Sequence, residues 1–89
     1  MNVAELSKEE FAQLAKEIYY RDIRPQVIEQ HRGEFLVLDV ESGDYEIDAE
    51  HLAAAKRLMA RRPNGRRFGF RIGYSAVYSF GGMMRPDEP

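Results

Sequence analysis

The stretch Phe35-Leu36-Val37-Leu38-Asp39-Val40-Glu41-Ser42-Gly43-Asp44-Tyr45-Glu46-Ile47-Asp48 decides the fold. From Phe35 to Val40 the chain is apolar at consecutive positions until Asp39, which reads as a strand in the middle of its sheet. Glu41-Ser42-Gly43-Asp44 follows as a tight turn, with Gly43 free to take a positive φ. On the return, Tyr45 and Ile47 alternate with Asp44, Glu46 and Asp48, so the second strand has one wet face. Asp48 then serves as N-cap of the next helix.

That helix is predicted over Ala49–Arg61, with Leu52, Ala55 and Met59 as its apolar stripe and Leu58 at the margin. Arg61 and Arg62 fall in its last turn, where cations suit the helix dipole, and Pro63-Asn64-Gly65 closes it. Upstream, Ser7 and Glu10 form a capping box, and Leu6 with Phe11 has the spacing of a hydrophobic staple. Phe11, Leu14, Ala15 and Ile18 recur on one helical face. Pro25 disfavours helix at Arg24 but suits the first turn of a new one. The reading is a helix over 8–22, a kink, and a short helix over 25–32 stopped by Gly33.

Downstream of Arg66, Phe68, Phe70, Ile72 and Tyr74 share one strand face, while Arg67, Gly69, Arg71 and Gly73 share the other. Residues 75–80 either continue this strand past a bend at Gly73 or return as a fourth strand. Residues 83–89 read as a disordered tail. The expected fold is α+β in the order ααββαβ with a possible fourth strand. An antiparallel sheet of three or four strands is joined by a kinked N-terminal helix and one helix after the first hairpin, in a single domain over 1–82. The 49–61 helix and the N-terminal helix are placed together on one sheet face.

With 89 residues there is room for one small core, and 44% hydrophobic content suits a globular chain. There are no cysteines, so disulfides and thiolate metal sites are excluded and a reducing cytoplasm is favoured. Met1–Glu5 has neither a basic nor an apolar signal region, and no apolar run approaches a membrane span. Residues 1–50 carry 13 acidic and 5 basic residues, whereas residues 51–89 carry 8 basic and 2 acidic. Such asymmetry marks either a bipolar surface or two halves that neutralise each other.

The acidic hairpin has the composition of a calcium loop but not its spacing: Gly43 falls one position early and alternation sends its carboxylates to both faces. Asp39 is separated from Ser42-Gly43 by two residues, which rules out an aspartic-protease triplet. His31 and His51 lack ligand partners at helical spacing, and no serine sits in a nucleophile elbow. No cofactor or metal is expected, and an enzyme built on Asp39, Asp48 or His51 is the least favoured class. Arg57, Arg61, Arg62, Arg66, Arg67 and Arg71 cluster within fifteen residues. They suit a phosphate backbone, an acidic protein surface, or the acidic face of this same chain. Alternating Arg and Phe over 66–74 allow a base-stacking strand, so an RNA-binding module is the rival reading. The pI of about 5.7 argues against general nucleic-acid affinity.

Gly33-Glu34-Phe35, Asp39–Asp48 and the later Arg71-Ile72-Gly73-Tyr74 resemble a family of short uncharacterised bacterial proteins, many of them cyanobacterial. Their pattern is close to Gly-x-Phe-Val-x-Asp-Val-Glu-Ser/Thr-Gly-Asp-Tyr-Glu-Ile-Asp, and the likeness covers roughly the last sixty residues. It brings no catalytic or binding residues with it. The family looks like small partner proteins encoded beside another gene, in the manner of antitoxins. The expected function is protein binding without catalysis, as an antitoxin-like or regulatory partner or as a homodimer. The six arginines are its candidate contact residues.

Overall fold

The computed structural model describes residues 2–75 and 85–86. A 3₁₀ turn at Val3–Glu5 leads into α1 (Lys8–Ile18), a π-helical turn at Tyr19–Ile23 and α2 (Arg24–His31). Next come β1 (Phe35–Asp39), β2 (Tyr45–Asp48), α3 (His51–Arg61) and β3 (Arg67–Arg71). Two short strands, β4 (Tyr74–Ser75) and β5 (Arg85–Pro86), follow. The main sheet is three-stranded and antiparallel in the order β2-β1-β3, so the chain is α+β with the Phe35 strand at the centre. The predicted continuation over 76–80 lies outside the described residues. Within the predicted tail, Arg85–Pro86 pairs with Tyr74–Ser75, and its other residues also lie outside them.

The capping box forms as expected: Glu10 N–H donates to Ser7 Oγ at 3.0 Å, and Ser7 N–H donates to Glu10 Oε1 at 2.8 Å. The predicted kink at Arg24-Pro25 is instead a widening. Pro25 has no N–H to give the carbonyl four residues back, and its ring crowds that position. The preceding turn accordingly closes five residues apart, with Arg24 N–H on Tyr19 O. The widening also explains the buried row Phe11, Ala15, Tyr19, Ile23 and Val27, spaced in steps of four. An α-helix turns about 100° per residue, so such a row drifts about 40° per step. The wider turn brings it back onto the sheet.

The sheet is covered on both faces, which corrects the expectation that both helices share one. Side chains alternate along β1. Leu36 and Leu38, with Val40 beyond the strand, join Phe70, Ile72 and the α1–α2 arm in the larger core. There the ring of Tyr19 stacks on Phe70, centroids 4.1 Å apart and 10° from parallel. Val37 points the other way and meets Ala54 and Leu58 of α3. The apolar face of the 66–74 strand is thus core: Phe70 and Ile72 are buried, and Phe68 packs against them.

The buried face of α3 also differs from the predicted stripe. Ala54 and Leu58 are buried, whereas Leu52 and Met59 stand out 66% and 45% exposed. The helix begins at His51, with Glu50 at its N-cap position. Asp48 does not cap it; its Oδ1 accepts from Glu50 N–H at 2.8 Å, tightening the turn between β2 and α3.

Asp39 is not part of a wet face. It is 2% exposed and organises the hairpin loop with every polar group but one. Its N–H donates to Asp44 O and its carbonyl accepts from Gly43 N–H, both at 2.8 Å. Its Oδ2 accepts from the backbone N–H of Ser42 at 3.0 Å and from the Ser42 hydroxyl at 2.5 Å. Gly43 takes φ +84°, as the turn requires. The remaining oxygen, Oδ1, lies against Gly65, where a Cβ would fall 1.8 Å away. The strand Asp and the turn Gly are therefore one packed unit.

Two consequences are measurable by urea denaturation. Phe70→Ala removes the ring beneath Tyr19 and should lower stability by about 3–5 kcal/mol. Gly65→Ala should destabilise strongly, but much less in an Asp39→Ala background, because the clash needs the carboxylate; additive costs would refute that coupling.

Candidate functional site

Three of the six candidate arginines face the chain's own hairpin. Glu46 and Asp48 of β2, and Asp44 just before it, face α3, about 6.8 Å apart in steps of two. Positions four apart on a helix are about 6.0 Å apart, so the two rows match. Arg57 donates Nε to Glu46 Oε1 at 2.9 Å and Nη1 to Asp48 Oδ2 at 3.0 Å. Arg61 donates Nε to Glu46 Oε2 and Nη1 to Asp44 Oδ2, each at 3.1 Å. Arg62 donates Nε to Asp44 Oδ2 at 2.8 Å.

The same guanidinium groups close the sheet edge. Antiparallel bonding alternates, and Asp44 bonds to β1, so the carbonyls of Tyr45 and Ile47 turn outward. Arg57 Nη2 donates to Ile47 O at 2.7 Å, and Arg61 Nη2 to Tyr45 O at 3.2 Å. Exposed strand edges invite pairing with other chains. Here two side chains of α3 occupy the acceptors such a pairing would use. All three nitrogens of Arg57 and of Arg61 are engaged, which leaves them no free edge for a partner.

Arg66, Arg67 and Arg71 are placed differently. Arg66 Nη1 donates to Val3 O at 3.1 Å and Leu6 O at 2.9 Å, with its guanidinium 4.0 Å from the Phe11 ring centroid. Arg67 Nη1 donates to Arg62 O at 3.3 Å and Gly65 O at 3.1 Å. Arg71 Nε donates to Gly33 O at 3.1 Å, and its guanidinium lies 4.1 Å from the Tyr74 ring and 5.5 Å from Phe35. Arg66 and Arg67 flank the start of β3, and Arg71 ends it. The six residues therefore divide between the hairpin ladder and the two ends of β3 rather than forming one patch. The base-stacking face of the rival RNA reading is also taken up by the core.

His51 is exposed and edge-on to Phe35, with centroids 6.0 Å apart, and His31 Nδ1 is 2.9 Å from Glu34 Oε1. Among the described residues no group of three or more His, Asp or Glu side chains gathers as metal ligands, and no helix is long and apolar enough to cross a membrane. What the sequence reading missed is the outer flank of α3. Leu52 and Met59, seven residues apart on that flank, carry the exposed apolar surface. A helical-wheel stripe gives a direction but not the rotation that tertiary contacts impose, so the signal was present and misassigned. No family model, curated protein or solved structure matches the chain.

The ladder holds its carboxylates ionised. Asp44 is lowered by its hydrogen bond from Arg62, and Glu46 by that from Arg57. Asp48 is lowered first by the Glu50 N–H and then by Arg57. Each folded-state pKa lies below its unfolded value, so the stabilisation is complete above the unfolded values near about 4 and is lost as pH falls through the lowered ones. The urea midpoint should change little from neutral pH down to about 5 and drop below about 4. Glu46→Gln should flatten that acid limb; an unchanged limb would show that the ladder does not govern it.

Proposed function

We propose that this chain acts by binding another protein rather than by catalysis, and that it meets its partner with the outer flank of α3. The supporting observation is the exposure of Leu52 and Met59 on one side of a helix whose other sides are committed to the core and to β2. Large apolar side chains set along one helix flank are the usual anchors of helix-mediated recognition. Ala55 and the exposed Lys56 lie between the two anchors. An antitoxin-like or regulatory partner, or a homodimer, is a form this binding takes, and the cytoplasm is the proposed compartment. The six arginines are not the main contact in this reading, since Arg57, Arg61 and Arg62 already hold the hairpin.

Sedimentation velocity across a concentration series, together with analysis of what copurifies at native expression, tests this. The wild-type chain should self-associate or carry a stoichiometric partner. Leu52→Asp and Met59→Lys should abolish that association while keeping the wild-type melting temperature, because both side chains are outside the core. A monodisperse wild-type monomer with no partner, or association undiminished in both variants, would overturn the proposal.

A further inference from the structure

The chain has two asparagines, Asn2 and Asn64. Asn64 is exposed, and the residue after it is Gly65, whose backbone nitrogen no Cβ shields. At such a step the glycine nitrogen can attack the side-chain amide carbon of the asparagine. A five-membered imide forms as ammonia leaves, and water then opens it to aspartate or, mostly, to isoaspartate. A recess of about 300 Å³ that Asn64 and Gly65 help to line gives water its access. Asn2 is placed less well, because the β-branched Val3 follows it and its side chain already accepts from Ala4 N–H at 3.0 Å.

The attacking nitrogen is one that the fold restrains. Gly65 N–H donates to Arg62 O at 3.2 Å across the Pro63-Asn64 turn, and this bond must break before the nitrogen can lose its proton. Arg67, cross-strand partner of Asp39, ties both ends of the turn. Its Nη1 donates to Arg62 O at 3.3 Å and to Gly65 O at 3.1 Å. Asp39 closes the remaining side, with Oδ1 where a Cβ on Gly65 would stand. That carboxylate is itself buried and held by Ser42, so Gly65 has little freedom to shift.

We propose that Asn64-Gly65 is a site of spontaneous deamidation, and that opening of this turn sets its rate in the folded chain. The Gly65 nitrogen bonds to Asn64 Cγ, the bond from Cγ to the amide nitrogen breaks, and the displaced proton departs with the ammonia. Water then adds across one C–N bond of the imide; no oxidant or cofactor is required. Isoaspartate routes the main chain through Cβ and lengthens it by one carbon between positions 64 and 65. Gly65 then loses its register against Asp39, and the two carbonyls that Arg67 grips move apart. The change is one-way, adds a carboxylate and loosens the hairpin. It does not depend on partner binding through α3.

The test incubates the folded protein, the protein in urea and a synthetic peptide spanning 60–70 at mildly alkaline pH. Isoaspartate is then located by peptide mapping. Reaction should fall at Asn64 and should run at least about tenfold more slowly in the folded chain than in the peptide, with urea restoring the peptide rate. Arg67→Gln removes the donor to both carbonyls and should speed the folded reaction by about threefold or more. It should also hasten hydrogen exchange at the Gly65 amide. Asn64→Gln should remove the product, because its imide ring would need a sixth member. The wild type provides a check that needs no variant: the slowing should be of the same order as the protection of its Gly65 amide from exchange. The purified isoaspartate form should have a lower urea midpoint than the unmodified chain. A folded rate equal to the peptide's, slowing without amide protection, an unchanged rate in folded Arg67→Gln, or an unchanged midpoint after modification would each overturn the proposal.

Discussion

A strand that is apolar on both faces must be covered on both. β1 sets Leu36 and Leu38 on one side and Val37 on the other, all buried, and the rest of the architecture answers that demand. An 89-residue chain has few elements with which to do it. The long helical arm takes the larger face, using a straight row from Phe11 to Val27 that the π-helical turn keeps aligned. The shorter α3 takes the smaller face with little more than Ala54 and Leu58. Burial of this kind is non-directional and fixes which sides are inside, not the angle at which each cover sits.

The angle of α3 is fixed by charge. Three carboxylates two apart, at Asp44 and along β2, face arginines spaced along the helix, and the near equality of the two repeats lets Arg57 and Arg61 each bridge two acids. The same side chains then reach the outward carbonyls of β2 and cover its edge. A helix held in that rotation cannot also bury Leu52 and Met59. The apolar flank left outside is thus a consequence of the burial of Ala54 and Leu58 together with the ladder. The charge asymmetry between the halves of the chain is in part consumed within the fold, at this ladder.

Much of the fold was legible because its signals are local. The capping box at Ser7 and Glu10, the left-handed Gly43 and the alternation of the three strands depend on neighbours within a few residues, and each formed, although the face of β2 that reads as wet is covered by Arg57 and Arg61 of α3. Pro25 signalled a disturbance in the helix, but the same missing N–H can be accommodated by a break or by a wider turn. The choice rests on whether the next element has core to cover. Asp39 reads in sequence as one more hairpin acid. Its burial becomes intelligible only when Gly65, twenty-six positions later, is seen to leave the space it occupies.

The sequence by itself determined the three strands of the main sheet, the helices, the central place of β1 and the charge asymmetry between the two halves, because side-chain periodicity and charge are written along the chain. Tertiary structure alone decided which sheet face each helix covers, how α3 is rotated, and how the six arginines divide. Those outcomes depend on pairings between residues far apart in sequence. Arg57, Arg61 and Arg62 became part of the scaffold by meeting the hairpin, while Arg66 was fixed by the carbonyls of Val3 and Leu6 and Arg67 by those of Arg62 and Gly65. Residue type gives a guanidinium its charge, but only the geometry around it determines whether that charge is already spent.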